Sequence, residues 1–271
     1  MKTPRQDSWH FESISEFDQI NLSKARMYMV AGQRDTPILF VHGGYHGAWC
    51  WTPWMRELAR DGWNVCALDL RGHGGLPQTD DFVQDGVEQA AFDVLEALDN
   101  LKRPAVLVGH SLGALVAMVA AQHRPLTGLV LMAPSPPGQL PGLSPLPAYP
   151  EDRVVPPPQG VVAHQKFLNG YAGDVTSFLQ RLCPESPRMM NDRYLLRIHV
   201  DRQKIDCPVL VLGAGRDLPH LHPPGQDEAV ADFFEGEYRF LQDSSHDMML
   251  DDSRGLVKQH LVEWLHLHQF S

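Results

Sequence analysis

The chain has 271 residues, of which 43% are hydrophobic, and its formal net charge at pH 7 is −10. This length and apolar content allow one large α/β domain with an insertion and exclude a small disulfide-stapled module. The negative charge argues against nucleic acid and anionic membrane surfaces as partners, because both would repel the protein, and it favours a small, largely uncharged molecule.

The amino-terminal stretch is polar. Residues 1–19 contain no uninterrupted apolar segment, so we expect neither a secretory signal nor a transmembrane helix, and we expect a cytoplasmic location. Four cysteines are scattered without CxxC or metal-ligand spacing, which is typical of reduced, buried thiols: Cys50, Cys66, Cys183 and Cys207.

Apolar runs in the first third of the chain are typical of strands, and they occupy residues 25–30, 38–41 and 63–68. The second run ends at a glycine-rich loop, His42 to Trp49, whose glycines leave backbone amides bare. Apolar residues then recur at helical spacing from Val87 to Leu98. This periodicity predicts an amphipathic helix.

A sharp turn is predicted at Gly109-His110-Ser111-Leu112-Gly113, between a short buried strand and a segment rich in helix formers. The two glycines remove Cβ atoms that would clash at a tight strand-to-helix junction, so the Ser111 hydroxyl is pushed out of the fold. The G-x-S-x-G pattern in this context indicates a nucleophile elbow, in which the Leu112 amide can stabilise an oxyanion. The alternative is a helix start capped by Ser111.

Another buried strand is predicted at residues 128–133, so strands and helices alternate as a mostly parallel, doubly wound sheet requires. Ten of the 22 prolines then fall between positions 134 and 158, where neither a helix nor a central strand can persist. This stretch is either a flexible linker or the start of an excursion over the active site. Because the residues after it are too few for an independent core, we expect residues 134–203 to form an inserted helical cap on a core of residues 1–133 and 204–271.

Two amphipathic pieces are expected within this cap segment. Val175, Phe178, Leu179 and Leu182 share one helical face, and Pro187 starts a second helix that carries Met190, Tyr194 and Ile198. The sheet resumes at residues 208–212, and a further strand is predicted at residues 238–241, with helices near residues 227–234 and 253–268.

A serine hydroxyl is a weak nucleophile at neutral pH, so Ser111 needs a base and a carboxylate that orients the base. Asp217 lies just after the strand that follows the cap segment, and His246 lies in the loop after the last strand. Serine, acid and histidine therefore occur in the required chain order at the ends of strands. These three residues are predicted to form a catalytic triad.

Other polar residues nearby are assigned ordinary roles. Asp243 and Asp247 flank the histidine too closely in sequence to face its ring, so helix capping or solvent exposure is expected for them. His220 and His222 form an H-x-H pair that could bind a metal, but prolines surround them and they are interpreted as loop residues.

These motifs resemble those of the α/β-hydrolase superfamily. The resemblance implies that the Gly44 amide in the loop after His42 is the second oxyanion donor beside Leu112, that Arg71 and His73 of the RGHG loop are structural, and that no cofactor or metal is needed. The loop at His42 to Trp49 is most similar to the methylesterase and hydroxynitrile lyase branch and its bacterial relatives. Asp247 stands where the lyases carry lysine, which disfavours cyanohydrin cleavage.

The resemblance and the predicted site together imply a serine hydrolase that cleaves a carboxylic ester of a small or medium, largely uncharged substrate through an acyl-enzyme. Cleavage of a thioester, or acyl release in a biosynthetic pathway, is the first alternative. A receptor that keeps the triad is another, and so is a nonhydrolytic enzyme that uses His246 as a general base. The sequence leaves the oligomeric state open.

Overall fold

A computed structural model describes residues 14–270. Eight strands form one sheet in the order β1-β2-β4-β3-β5-β6-β7-β8. They are β1 Asp18–Asn21, β2 Arg26–Val30, β3 Pro37–Val41, β4 Asn64–Asp69, β5 Val106–His110, β6 Gly128–Met132, β7 Val209–Ala214 and β8 Glu237–Leu241. Strand β2 pairs antiparallel with both of its neighbours, β1 and β4. From β4 onward in the sheet order, every neighbouring pair is parallel. The predicted α/β-hydrolase sheet is confirmed.

Helices cover both faces of the sheet and the loop edge. They are α1 Thr52–Arg60, α2 Val87–Leu101, α3 Leu112–Ala121, α4 Gly160–Phe167, α5 Thr176–Leu179, α6 Pro187–Tyr194, α7 Gln226–Phe234 and α8 Arg254–Leu267. The helix predicted from the apolar periodicity after Val87 is confirmed as α2, whose periodic residues are buried. Helix α3 is buried along its whole length, because β5 and α2 enclose it.

The central strands bring their carboxyl ends to one edge of the sheet. Strands β3, β5, β6 and β7 are buried at every residue, as expected for parallel strands with helices on both faces. The register aligns Val41 with Gly109 and Met132 with Leu212. Loops that leave these strands therefore meet at one edge, where ligands bind in open α/β sheets.

The cap segment, residues 134–203, runs between β6 and β7 and carries α4, α5 and α6. Helix α6 begins at Pro187 as predicted, and the Ser186 hydroxyl accepts a hydrogen bond from the Met189 amide at its start. The helix expected around Phe178 is only one turn, so Leu182 lies beyond it, and α4 was not predicted. The exact bounds of the cap segment stay a prediction.

Among residues 14–270, no helix is long and apolar enough to cross a membrane. The predicted absence of a signal or membrane helix in residues 1–19 falls mostly outside the described residues. All four cysteines are free; Cys50 and Cys66 are buried, and Cys183 and Cys207 are partly exposed.

Candidate active site

The turn at Ser111 has the strained geometry that the sequence predicts. Ser111 has φ 52° and ψ −121°, a positive φ that is rare for residues other than glycine. A Cβ atom at Gly113 would lie 2.1 Å from the carbonyl oxygen of His42, and one at Gly109 would lie 2.6 Å from the Cα of Ala114. Glycine is therefore required at both positions, and the junction holds the serine hydroxyl at the mouth of a cavity.

The structure brings the three predicted triad residues together. The Ser111 Oγ lies 2.9 Å from His246 Nε2. On the other side of the ring, His246 Nδ1 lies 2.8 Å from Asp217 Oδ1 and 3.0 Å from Oδ2. Strand β5 positions the serine, the loop after β7 positions the aspartate, and the loop after β8 positions the histidine. This arrangement suits proton transfer from a hydroxyl to an imidazole that a carboxylate orients.

The electrostatic interactions between His246 and Asp217 favour the charged form of each residue. Burial lowers the pKa of His246, but the charge and hydrogen bond of Asp217 outweigh burial and raise it above its ordinary value. Burial raises the pKa of Asp217. The nearby His222 and His246 have the opposite and larger effect, so the pKa of Asp217 lies below its ordinary value. The imidazolium that forms when the serine loses its proton is thereby stabilised.

Two free amides lie beside Ser111. A Cβ atom at Gly44 would lie 3.4 Å from the Leu112 side chain, and one at Gly43 would lie 3.0 Å from the Cβ of Ser111, so the glycine-rich loop packs against the elbow. Within residues 14–270, neither the Gly44 nor the Leu112 amide donates a hydrogen bond. Both residues line the cavity and can offer N–H groups to an oxyanion.

A second buried histidine–aspartate pair lies behind the first. His46 Nε2 is 2.8 Å from Asp247 Oδ2, and His46 Nδ1 is 2.7 Å from the carbonyl oxygen of Gly44. Asp247 is completely buried, so the expectation of helix capping or exposure was wrong for it. The expectation of solvent exposure holds for Asp243, whose side chain is 85% exposed. The pair ties the glycine-rich loop to the loop that carries His246.

His222 lies in a loop, as expected, but its side chain also lies beside the proposed triad, which the sequence did not indicate. Its Nδ1 lies 3.8 Å from Asp217 Oδ2 and 3.8 Å from Asp227 Oδ1, and its ring centroid is 4.8 Å from that of His246. Asp217, His222 and His246 are close enough to suggest a metal site. However, His246 already uses Nδ1 for Asp217 and Nε2 for Ser111, so its lone pair is committed to the hydrogen bonds.

The Ser111 hydroxyl faces a cavity at the sheet edge. Residues of the cap segment form one wall: Ser135, Leu146, Lys166, Phe167, Met190, Arg193 and Tyr194. Sequence reasoning missed Lys166 and Arg193, because nothing local distinguishes a basic residue that faces a cavity from one that faces solvent. The helical spacing from Pro187 indicates only that Met190 and Tyr194 share a face.

The RGHG residues Arg71 and His73, which are predicted to be structural, form buried contacts. The Arg71 guanidinium pairs with Asp85 at 2.8 Å and with Asp93 at 2.7 Å. His73 Nε2 lies 3.1 Å from Glu185 Oε2, and the same carboxylate oxygen accepts a hydrogen bond from the Tyr45 amide at 3.2 Å. Glu185 of the cap segment thus connects the RGHG loop and the glycine-rich loop.

A family model described as the alpha/beta hydrolase family matches residues 38–259. The chain is 38% identical over 90 residues to Methylesterase 9 of Arabidopsis thaliana, which covers 32% of this chain and 34% of that protein. It is 32% identical over 177 residues to the pimeloyl-[acyl-carrier protein] methyl ester esterase of Methylococcus capsulatus, covering 63% and 61%. The chain thus spans less than two thirds of the length of these curated relatives.

Solved structures share the fold. The enol-lactonase from Burkholderia xenovorans superposes with a TM-score of 0.68 at 18% identity, covering 92% of this chain and 100% of that chain. At this identity the likeness concerns the fold alone.

Proposed function

We propose that this chain, which belongs to the alpha/beta hydrolase family, is a serine hydrolase that cleaves a carboxylic ester of a small or medium substrate through an acyl-enzyme. The observation that carries the proposal is the continuous hydrogen-bonded chain from Ser111 through His246 to Asp217. Methyl ester esterases among the relatives support an ester as the substrate.

The mechanism follows from the atoms that each residue presents. The Ser111 oxygen attacks the ester carbonyl while His246 Nε2 takes the hydroxyl proton, and Asp217 stabilises the imidazolium. The Gly44 and Leu112 amides donate hydrogen bonds to the carbonyl oxygen as it becomes an oxyanion, and loss of one such donor costs about 3 kcal/mol in comparable enzymes. When the carbon–oxygen bond to the alcohol breaks, His246 returns the proton to the leaving group.

Deacylation repeats these steps with water. His246 takes a proton from a water molecule, whose oxygen attacks the acyl carbon, and the bond to Ser111 breaks as the serine oxygen regains a proton from the imidazolium. The acid leaves and the free enzyme returns. None of these steps draws on a cofactor.

We also propose a small or medium substrate, because apolar side chains such as Leu146, Phe167 and Met190 line the cavity beside Ser111. We also propose a cytoplasmic location, which the four free cysteines support. The net charge of −10 supports the absence of nucleic acid and anionic membrane partners.

Covalent labelling tests the nucleophile. The intact protein is treated with a fluorophosphonate probe, and mass spectrometry is expected to show one adduct that is lost in Ser111→Ala. Ser135→Ala is the matched control, because Ser135 also lines the cavity and has no hydrogen bond to His246. An adduct that persists in Ser111→Ala would contradict the assigned nucleophile.

Turnover tests the reaction class. Wild-type protein is expected to hydrolyse p-nitrophenyl esters of short and medium acyl chains with steady-state kinetics, and Ser111→Ala to lose this activity. An adduct without turnover would favour a receptor or a narrow thioesterase. Activity that survives Ser111→Ala would favour a nonhydrolytic enzyme with His246 as its base.

A further inference from the structure

Two basic side chains line the cavity that holds the proposed triad. Lys166 lies on α4 and Arg193 on α6, and both line the cavity with Ser111 and His246. Among residues 14–270, Asp217 is the only acidic residue in the lining, and both of its carboxylate oxygens face His246. Among the described residues, the cavity wall therefore offers the two cations no carboxylate that is not already engaged with His246.

The Lys166 ammonium lies against two aromatic rings. Its Nζ is 4.9 Å from the ring centroid of Tyr45 and 5.4 Å from that of Phe167. Within residues 14–270 it forms no hydrogen bond and no close ion pair, and the charges of Asp247 and Glu185 act on it only at longer range. Burial lowers its pKa to about 8, so the side chain remains largely protonated at pH 7. Burial and the Lys166 charge both act to lower the pKa of His246, so the ammonium is within electrostatic reach of the reacting group.

Arg193 is only 8% exposed. One of its five N–H groups donates to the carbonyl oxygen of Leu221 at 2.9 Å, which fixes the guanidinium, and residues 14–270 supply no other hydrogen-bond acceptor to it. The Asp227 carboxylate acts on Arg193 only at longer range, without a close ion pair among residues 14–270. Burying a guanidinium with most of its N–H groups unpaired is costly, because the protein replaces the water shell incompletely. A bound anion would provide the missing acceptors, and a planar guanidinium matches a carboxylate in geometry.

We propose that Lys166 and Arg193 form an anion subsite, and that the natural substrate is an ester carrying a free carboxylate several bonds away from the scissile carbonyl. The separation follows from the architecture, since the cap segment supplies the two cations while the sheet edge supplies Ser111. This inference rests on the proposed hydrolase function and deepens it. It also replaces the largely uncharged substrate expected from the net charge, because the field inside a cavity is set by its own lining.

Matched pairs of esters test the subsite. The monomethyl esters of glutaric and adipic acid are compared with the corresponding dimethyl esters, which have the same carbon chain and no charge. The readout is the ratio of kcat/KM for the anionic ester to kcat/KM for the neutral ester per scissile bond, measured at pH 7. Because each variant is compared with itself, a general loss of activity cancels. We expect a ratio of about 10 or more for the wild type.

Five variants distinguish the subsite from a structural role. Lys166→Met and Arg193→Met are each expected to lower the ratio at least about fivefold. Lys166→Arg keeps the charge and is expected to retain most of the ratio, while Arg193→Lys keeps the charge, loses the planar pair of donors and is expected to retain only part of it. Lys204→Met is the matched control, because Lys204 is 58% exposed and does not line the cavity. A wild-type ratio near one, or a ratio that the Met variants leave unchanged, would overturn the subsite while leaving the hydrolase intact.

Binding separates this inference from the proposed function. Calorimetric titration of Ser111→Ala with glutarate and adipate measures anion binding without turnover. If no ester is hydrolysed but the dicarboxylates bind and Lys166→Met abolishes binding, the hydrolase proposal fails and the subsite stands. If the dicarboxylates do not bind and the ester ratio is near one, the subsite is refuted. Inorganic phosphate, titrated in parallel, is expected to bind more weakly than the dicarboxylates, and equal binding would refute the carboxylate as the recognised group.

Discussion

Two walls enclose the cavity, and they are held together differently. The wall at the sheet edge comes from loops that leave fully buried parallel strands, so its side chains are positioned by the densest part of the core. The wall from the cap segment consists of three short helices and long irregular stretches, and buried polar contacts such as Glu185 with His73 attach it to the core. We infer that the sheet edge determines the chemistry and the cap segment determines what is bound.

The largest expected effect is at the sheet edge. Asp217→Asn is expected to lower kcat/KM for a neutral ester by ~10³- to 10⁴-fold, because His246 loses the carboxylate that orients it and stabilises its charged form. Activity requires neutral His246, so it declines as pH falls through the raised pKa of that residue. Since Asp217 raises this pKa, the acidic limb of the variant should move to lower pH.

The pH profile of kcat/KM measures both consequences. Asp243→Asn is the matched control, because Asp243 precedes the same histidine and is 85% exposed. A smaller loss for Asp217→Asn than for Asp247→Asn would reverse the assignment of the orienting acid.

A second substitution at the sheet edge breaks the fold rather than the chemistry. Gly113→Ala would place a Cβ 2.1 Å from the His42 carbonyl oxygen, so we expect a loss of about 3 kcal/mol in the free energy of unfolding, measured with urea. Gly255→Ala, on α8 with no atom within 4 Å of the added Cβ, is expected to be neutral or stabilising. Equal effects at the two glycines would show that the elbow can relax.

Removing the contact between Glu185 of the cap segment and His73 should have an intermediate effect on stability. Glu185→Gln removes a buried charge beside His73, and we expect a loss of about 2 kcal/mol in unfolding free energy. Turnover at saturating substrate should change less than KM if the cap segment mainly governs binding. Glu151→Gln, which removes an exposed pair with Arg197, is the control.

The stability of the Glu185 contact should also depend on pH. Burial lowers the pKa of His73, but Glu185 outweighs it and the pKa is raised. The stabilisation is therefore fully present below the unfolded-state pKa of about 6.5 and is lost as pH rises through the folded-state pKa. The difference between wild type and Glu185→Gln should consequently be larger at pH 6 than at pH 9. A constant difference would show that His73 stays neutral.

The smallest effect is expected on the outer face of the cap segment. Val161 and Val162 are 67% and 59% exposed at the start of α4. Changing either to Thr is expected to alter unfolding free energy by less than about 0.5 kcal/mol. A larger loss, measured by urea denaturation, would show that another surface covers this face in solution.

The difference between the sheet edge and the cap segment also explains which parts of the site could be predicted from the sequence. The elbow around Ser111 and the helix after Val87 depend on neighbours within one turn, so short patterns were sufficient to predict them. Asp217 and His246 were found because strand ends meet at one edge of a parallel sheet, which turns chain order into proximity. Their catalytic roles stay predictions.

Other parts of the site depend on tertiary packing. The expectation of helix capping or exposure was wrong for Asp247, because the chain turns after His246 and points the next side chain into the core, toward His46. His222 was missed because Asp217 draws near it only after the loop has folded. In the cap segment, prolines interrupt the periodic patterns, so α4 and the orientation of Lys166 were not predictable.

The Ser111–His246 hydrogen bond joins residues that are 135 positions apart in the chain. Contacts at such separation form only after much loop entropy has been lost, so they belong to the late stages of folding. Strands β5 to β8 must all be in register before the imidazole reaches the hydroxyl. A partly folded chain would therefore carry an inert serine, and the fraction of molecules labelled by a fluorophosphonate would count those in which the sheet is complete.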